Sequence, residues 1–171
     1  MQRILIFMIF LIIVLMAGYY WYPYNKMPVD VTIDSIVVKK SEHTLSAYSK
    51  SRMIKTYTVS LGKGGKGMKQ FEGDEKTPVG IYIINSKNPN SDFHRNLGIS
   101  YPSIQDIQAA TRLGKNAGGD IKIHGLKNGQ RLIGKFQRWR DWTNGCIALT
   151  DEEIDDLYVH TPLGTPILII P

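Results

Sequence analysis

Residues 121–148 read IKIHGLKNGQRLIGKFQRWRDWTNGCIA, and both the fold and the chemistry turn on them. At the left end, Ile121 and Ile123 alternate with Lys122. This predicts a short strand over 120–124 that stops at His124-Gly125. At the right end, Gly145-Cys146 opens an apolar run that predicts a second strand over 145–149. Eighteen residues separate His124 from Thr143. They form a basic, aromatic loop long enough to wall a cleft between two strand ends. A nucleophilic cysteine needs a nearby base to supply thiolate near neutral pH. It also needs exposed backbone N–H groups for an oxyanion, and an adjacent glycine lets substrate approach. His-Gly and Gly-Cys at two strand ends offer both. Taken alone, Cys146 reads as a core thiol and His124 as a structural or surface histidine; the pairing of contexts favours chemistry.

Outward from this stretch the chain is mostly strand. Downstream, Thr150 as N-cap with Glu153 three residues on predicts a helix over 151–159. Gly164-Thr165-Pro166 then turns into a last strand over 167–170. Asp151, Glu152, Asp155 and Asp156 read as the solvated face of that helix. Upstream, alternation predicts a strand over 29–39, then a hairpin of 44–49 and 53–61 around Lys50-Ser51. Gly62-Lys63-Gly64-Gly65-Lys66-Gly67 satisfies G-x-G-x-x-G. No helix follows it, so it reads as a flexible strand connection rather than a nucleotide fingerprint. A strand is expected over 79–84, turn material over 85–92 (NSKNPNSD) and a short helix over 103–113, with Ile104, Ile107, Gln108 and Thr111 along one side. The count is seven or eight strands and two short helices, with strands mostly adjacent in sequence. That is a mainly β sandwich or barrel, not a βαβ fold.

Composition narrows the function classes. Of 171 residues one is cysteine, which excludes an internal disulfide, a CxxC redox pair and multi-cysteine metal clusters. No H-x-x-x-H or carboxylate pair sits at ligand spacing, so neither a metal nor a cofactor is expected. Residues 4–22 (ILIFMIFLIIVLMAGYYWY) carry no charge. As a helix they would reach about 28 Å, the thickness of a bilayer core. Arg3 precedes them and an aromatic belt follows, which predicts a single-pass anchor with its N-terminus in the cytoplasm. A cleaved signal peptide is the competing reading; Leu15-Met16-Ala17-Gly18-Tyr19 offers no A-x-A site. The chain thus divides into an anchor, 1–24, and a domain, 25–171. All but one of the 21 Lys and Arg residues and all 15 acidic residues lie in the latter. A basic domain outside the membrane suits an anionic neighbour such as cell-wall polymer or lipid headgroups, with plain solubility charge as the alternative reading. The scattered charges do not form a nucleic-acid stripe. Nothing calls for an oligomer, and a monomer is expected.

The segments together resemble the L,D-transpeptidase catalytic domain (YkuD) family. The family signature is a His-Gly, a variable loop, then Ser/Thr-His-Gly-Cys and an Asn or Arg. It is matched by His124-Gly125 and by Thr143-Asn144-Gly145-Cys146-Ile147-Ala148. Gly73-Asp74-Glu75-Lys76-Thr77-Pro78-Val79-Gly80 is similar to the family's GD-x-x-TP-x-G segment, and the resemblance runs from about residue 33 to 170. Two positions depart: Asn144 replaces the histidine before Gly-Cys, and Ala148 replaces the Asn or Arg. Loss of that histidine resembles the YafK-like branch, as do Asn88-Pro89-Asn90-Ser91 and residues 97–102 (LGISYP).

The resemblance implies a peptidoglycan-modifying enzyme at the bacterial inner membrane, its domain facing the periplasm and wall. Cys146 is then the nucleophile and His124 the base. Gly125 orients the imidazole, and backbone N–H groups around Gly145 and Cys146 hold the oxyanion. Thr143, Asn144, Arg140, Trp142 and His94 are candidate substrate contacts, with Arg131, Arg138 and Trp139 as further receivers of the murein stem. His43 and His160 read as surface residues. Two alternatives remain open: a hydrolase on the same scaffold, releasing murein-linked protein or D-alanine, and a non-catalytic wall-binding module.

Overall fold

The computed structural model describes residues 1–171. Helix α1 spans Gln2–Trp21 and buries none of its side chains. It is long and apolar enough to cross a membrane. Eight strands follow: β1 (Ser35–Lys39), β2 (Thr44–Ser49), β3 (Arg52–Thr58), β4 (Gly80–Ser91), β5 (His94–Ile99), β6 (Lys122–His124), β7 (Ile147–Ala148) and β8 (Pro166–Ile170). Helix α2 (Ile104–Arg112) lies between β5 and β6, and α3 (Asp151–His160) between β7 and β8. The sheet order is β3-β2-β1-β8-β4-β5-β6-β7. Its pairs are antiparallel except β1–β8 and β6–β7. Just beyond β3, Ser60 makes a bridge to Ala148 of β7, so the two ends of the sheet meet. The mainly β expectation holds, in the form of one sheet curled toward a barrel.

The core lies inside that curl. Alternate residues of the strands point inward: Ile36 and Val38, Leu45 and Ala47, Ile167 and Ile169 are all buried. Ile154 and Leu157 of α3 complete it from one side. Both helices are capped, α3 as its sequence predicts. Ser103 and Asp106 form a capping box on α2, and Thr150 and Glu153 form one on α3.

Several local expectations are corrected. The stretch 29–34 is not strand, because no partner strand lies beside it. Its backbone bonds are made elsewhere, as when Ile33 N–H donates to the His160 carbonyl at 2.9 Å. The turn-rich residues 85–91 are the second half of β4, paired to β5 with irregular register, so long-range pairing overrides their turn propensity. The apolar side of α2 faces solvent: Ile104 and Ile107 are exposed and Ala110 alone is buried. Within the loop after β6, Arg131–Trp139 forms a 3-10 segment broken at Gly134. Helix α3 is solvated along only part of its acidic face, at exposed Glu152 and half-buried Asp155. Asp151 and Asp156 are buried, and so is His160, whose Nδ1–H donates to the Val31 carbonyl at 2.7 Å.

Candidate active site

Parallel pairing of β6 with β7 sets His124 opposite Ala148, two residues past Cys146. The turn before Cys146 is held by Thr143. Its Oγ1–H donates to the Cys146 carbonyl at 2.7 Å, and the same oxygen accepts the Gly145 N–H at 3.2 Å. Gly145 has φ +125°, and a Cβ there would lie 2.8 Å from the Lys76 carbonyl oxygen. No side chain fits at that position. The Lys76 carbonyl belongs to the Gly73–Gly80 stretch, which is itself pinned. Asp74 accepts N–H bonds from Gln70, Phe71 and Lys76 and pairs with the Lys69 ammonium at 2.8 Å. Thr77 Oγ1 accepts the Gly62 N–H at 2.9 Å, and the buried Lys40 ammonium donates to the carbonyls of Gly67 and Thr77. The glycine- and lysine-rich loop is therefore a fixed wall behind the cysteine turn, not a slack connection.

His124 is buried at the end of β6. Its Nδ1 lies 2.7 Å from the Gly125 carbonyl, an acceptor only, so Nδ1 carries the proton and Nε2 keeps a lone pair. The ring lies between Phe93, with centroids 4.7 Å apart, and Trp142, edge to face at 5.6 Å. Trp142 is oriented in turn by its indole N–H, which donates to Gln137 Oε1 at 2.9 Å. Burial pushes the imidazole below its ordinary value and the Cys146 thiol above its own. The resting pair is therefore neutral imidazole and thiol near pH 7, not an ion pair. The thiol is half-buried and points at the Asp120 carbonyl, 3.7 Å away; no hydrogen bond joins it to His124.

His124, Trp142, Thr143, Asn144 and Cys146 line one cleft of about 600 Å³. The β4–β5 hairpin contributes Asn88, Asn90, Asp92, Phe93 and Asn96, and the β6 side contributes Asp120 and Lys122. The backbone N–H groups of Asn144 and Cys146 make no hydrogen bond, whereas that of Gly145 is taken by Thr143. Of the residues expected from sequence, His94 and Arg140 are not in this cleft. His94 sits at the tight start of β5 with its ring on Asp155 at 2.8 Å, and Arg140 is exposed outside the lining. Arg138 faces the other way and pairs with buried Glu153. Sequence reasoning missed Phe93 and the asparagines as cleft residues. An aromatic ring inside an otherwise polar stretch, SDFH, was the one available signal.

Residues 33–169 match the YkuD family, the L,D-transpeptidase catalytic domain. Among curated proteins, YafK of Escherichia coli K12 is 28% identical over 130 residues, covering 72% of this chain and 45% of that protein. YqjB of Bacillus subtilis 168 is 28% identical over 148 residues, covering 85% of this chain and 74% of that one. Both are provisionally designated L,D-transpeptidases. Among solved structures, the helical cell shape determining protein Pgp2 from Campylobacter jejuni superposes with a TM-score of 0.63 at 27% identity, covering 82% of this chain and 48% of its own. The chain thus spans about half the length of YafK and of Pgp2.

Proposed function

The chain belongs to the L,D-transpeptidase catalytic domain family, and from that premise we propose a cysteine acyl transfer on the stem peptides of peptidoglycan. The observation that carries the reading is His124. Its Nδ1–H is committed to the Gly125 carbonyl, which leaves Nε2 a free base in the cleft that also holds Cys146. A buried neutral imidazole is suited to take a proton from a thiol that stays protonated at rest.

In this reading a stem peptide enters the cleft and the Cys146 thiol turns from the Asp120 carbonyl toward His124. Nε2 accepts the proton as Sγ attacks the carbonyl of the stem's diamino-acid residue. The free N–H groups of Cys146 and Asn144 receive the oxyanion. The C–N bond to D-alanine breaks, and the leaving amine takes the proton from His124. A thioester remains on Cys146. An amine of a second stem attacks it with His124 again as base, and the thiol is released. Thr143 and Gly145 hold the turn, and Trp142 with Phe93 holds the imidazole plane. Residues 1–24 act as a membrane anchor and residues 25–171 as the catalytic unit, facing the periplasm and acting as a monomer.

Water in place of the second amine is a further reading, favoured by the polar, open lining of the cleft. The enzyme is then a hydrolase. The test is purified full chain incubated with murein fragments and resolved by mass. Crosslinked dimers are expected from wild type, loss of a fragment without dimers marks hydrolysis, and Cys146→Ala should give neither. Equal products from wild type and Cys146→Ala sink the assignment. A thiol that gains no mass from an acylating carbapenem points instead to a non-catalytic wall-binding module.

A further inference from the structure

The chemistry above leaves one feature of the chain unused. Residues 127–140 (KNGQRLIGKFQRWR) hold five Lys and Arg residues and no acid. In the fold this stretch is two-faced. Gln137 is buried, and the Arg138 guanidinium pairs inward with Glu153. On the outer side Leu132 is 87% exposed, Trp139 63% and Ile133 41%. A run of exposed leucine, isoleucine and tryptophan among arginines is unusual for a surface that meets only water.

Its position supplies the reason. Tyr20, in the last turn of α1, stacks on Phe136 with centroids 5.4 Å apart, and its hydroxyl donates to the Leu132 carbonyl at 2.9 Å. Phe136 also meets Tyr19 at 6.1 Å and Trp139 at 4.8 Å. Gly134 is pressed under the Tyr20 ring, where a Cβ would come within 2.8 Å of it. The Lys135 ammonium donates to the carbonyls of Tyr19 and Tyr22 at the helix end. Aromatic residues at the end of a membrane-spanning helix mark the headgroup level. A segment stacked directly on those residues lies at the same depth. Apolar side chains flanked by basic ones are what an interfacial segment presents there, and the basic ones attract anionic lipid.

We propose that residues 131–140 are a docking segment that seats against the anionic headgroups of the membrane crossed by α1. Leu132, Ile133 and Trp139 enter the interface, and Arg131 and Arg140 face the lipid phosphates. Arg131 lies 3.9 Å from the exposed carboxylate of Glu152 and is 74% exposed itself, so it remains available. The proposal rests on α1 being a membrane span, and the experiment separates the two.

Full-length protein carrying Cys146→Ser receives a single nitroxide label through Leu132→Cys, Ile13→Cys or Ile104→Cys. Each version is placed in lipid nanodiscs of phosphatidylcholine alone or with phosphatidylglycerol, and the label's accessibility to oxygen and to a water-soluble nickel complex gives its depth. Ile13 should report the bilayer interior and Ile104 bulk water. In phosphatidylglycerol discs, position 132 should lose nickel accessibility several-fold relative to position 104. Arg131→Gln with Arg140→Gln should return most of that loss. A label at 132 as wet as that at 104, with Ile13 still in the bilayer, overturns the docking segment alone. A wet label at Ile13 overturns the span and the proposal with it. Equal depth at 132 in both lipids overturns the anionic partner.

Discussion

Asp156→Asn tests how the chain that leaves α1 is fastened to the β-rich domain. The buried Asp156 carboxylate accepts hydrogen bonds from the Tyr24 hydroxyl at 2.5 Å, the Met27 N–H at 3.1 Å and the Lys55 ammonium at 3.2 Å. Tyr57 contributes a longer contact at 3.4 Å. Asparagine keeps the volume but removes the charge and turns an NH₂ toward donors. A hydrogen bond to a charged group contributes about 1.5–3 kcal/mol and a neutral one about 0.5–1.5. The three close bonds therefore lose about 3 kcal/mol together. Relief from burying an ion returns part of this, leaving a net loss of about 2 kcal/mol. For a unit of this size that corresponds to a fall in Tm of about 4–8 °C.

The pH dependence gives a second readout. Burial alone would raise the Asp156 pKa; the bonds from Tyr24, Met27 and Lys55 outweigh it and hold the group below its ordinary value. The folded pKa thus lies below the unfolded one, about 3.9. The contribution is complete above that value and is lost as pH falls through the folded pKa. The gap between wild type and Asp156→Asn should be widest near neutral pH and close in acid. Near-UV circular dichroism melts of the full chain in detergent measure both quantities. A variant that melts with wild type at pH 7, or a gap that does not narrow in acid, refutes the reasoning.

Two further outcomes follow from the site. Because burial lowers the His124 pKa and raises that of Cys146, acylation by a carbapenem should need neutral imidazole. Its rate should climb with pH through a limb centred below about 6.5, the ordinary histidine value, then level through neutrality. A limb centred above pH 7 contradicts a buried neutral base. Gly145→Ala must hold φ near +125° and push the Lys76 carbonyl from 2.8 Å. The backbone strain alone costs about 1–3 kcal/mol, so acylation should fall by orders of magnitude along with a lowered Tm. Native rate and stability in that variant, measured by mass shift at Cys146 and by melting, would refute the cradle described for the cysteine turn.

The sequence revealed most where contacts are local. The β2–β3 hairpin and the Thr150–Glu153 capping box join residues that lie close together in the chain, and patterning showed them. His124, Trp142, Thr143, Asn144 and Cys146 were legible because they sit in two short strings that one parallel pairing brings together. The second half of β4 was not legible. Asn88 is a strand residue only because Asn96 stands opposite it. The hairpin's share of the cleft, Phe93 above all, was hidden for the same reason. Asp156 reads as a solvated helix residue until Tyr24, 132 positions away, and Lys55, 101 positions away, arrive beside it. His94 reads as a substrate contact because it lies in a polar loop, and Arg140 because it lies in the loop before Cys146. The fold turns one toward Asp155 and leaves the other outside the cleft.

The fastening at Asp156 has a geometric consequence. Helix α1 ends at Trp21, and the Tyr24 hydroxyl and Met27 amide are already held. Almost no free chain is left between them. A leash of fifteen flexible residues would let a domain wander by about 20 Å; this one stands on a post. With α1 in a bilayer, a unit about 40 Å across keeps its cleft within that distance of the lipid surface. On the function proposed above, peptidoglycan strands farther out would lie beyond its reach, leaving the innermost layer or material still arriving from the membrane. Under that proposal, lengthening the stretch between Trp21 and Tyr24 would change which layer of the wall comes within reach without touching a single residue of the cleft.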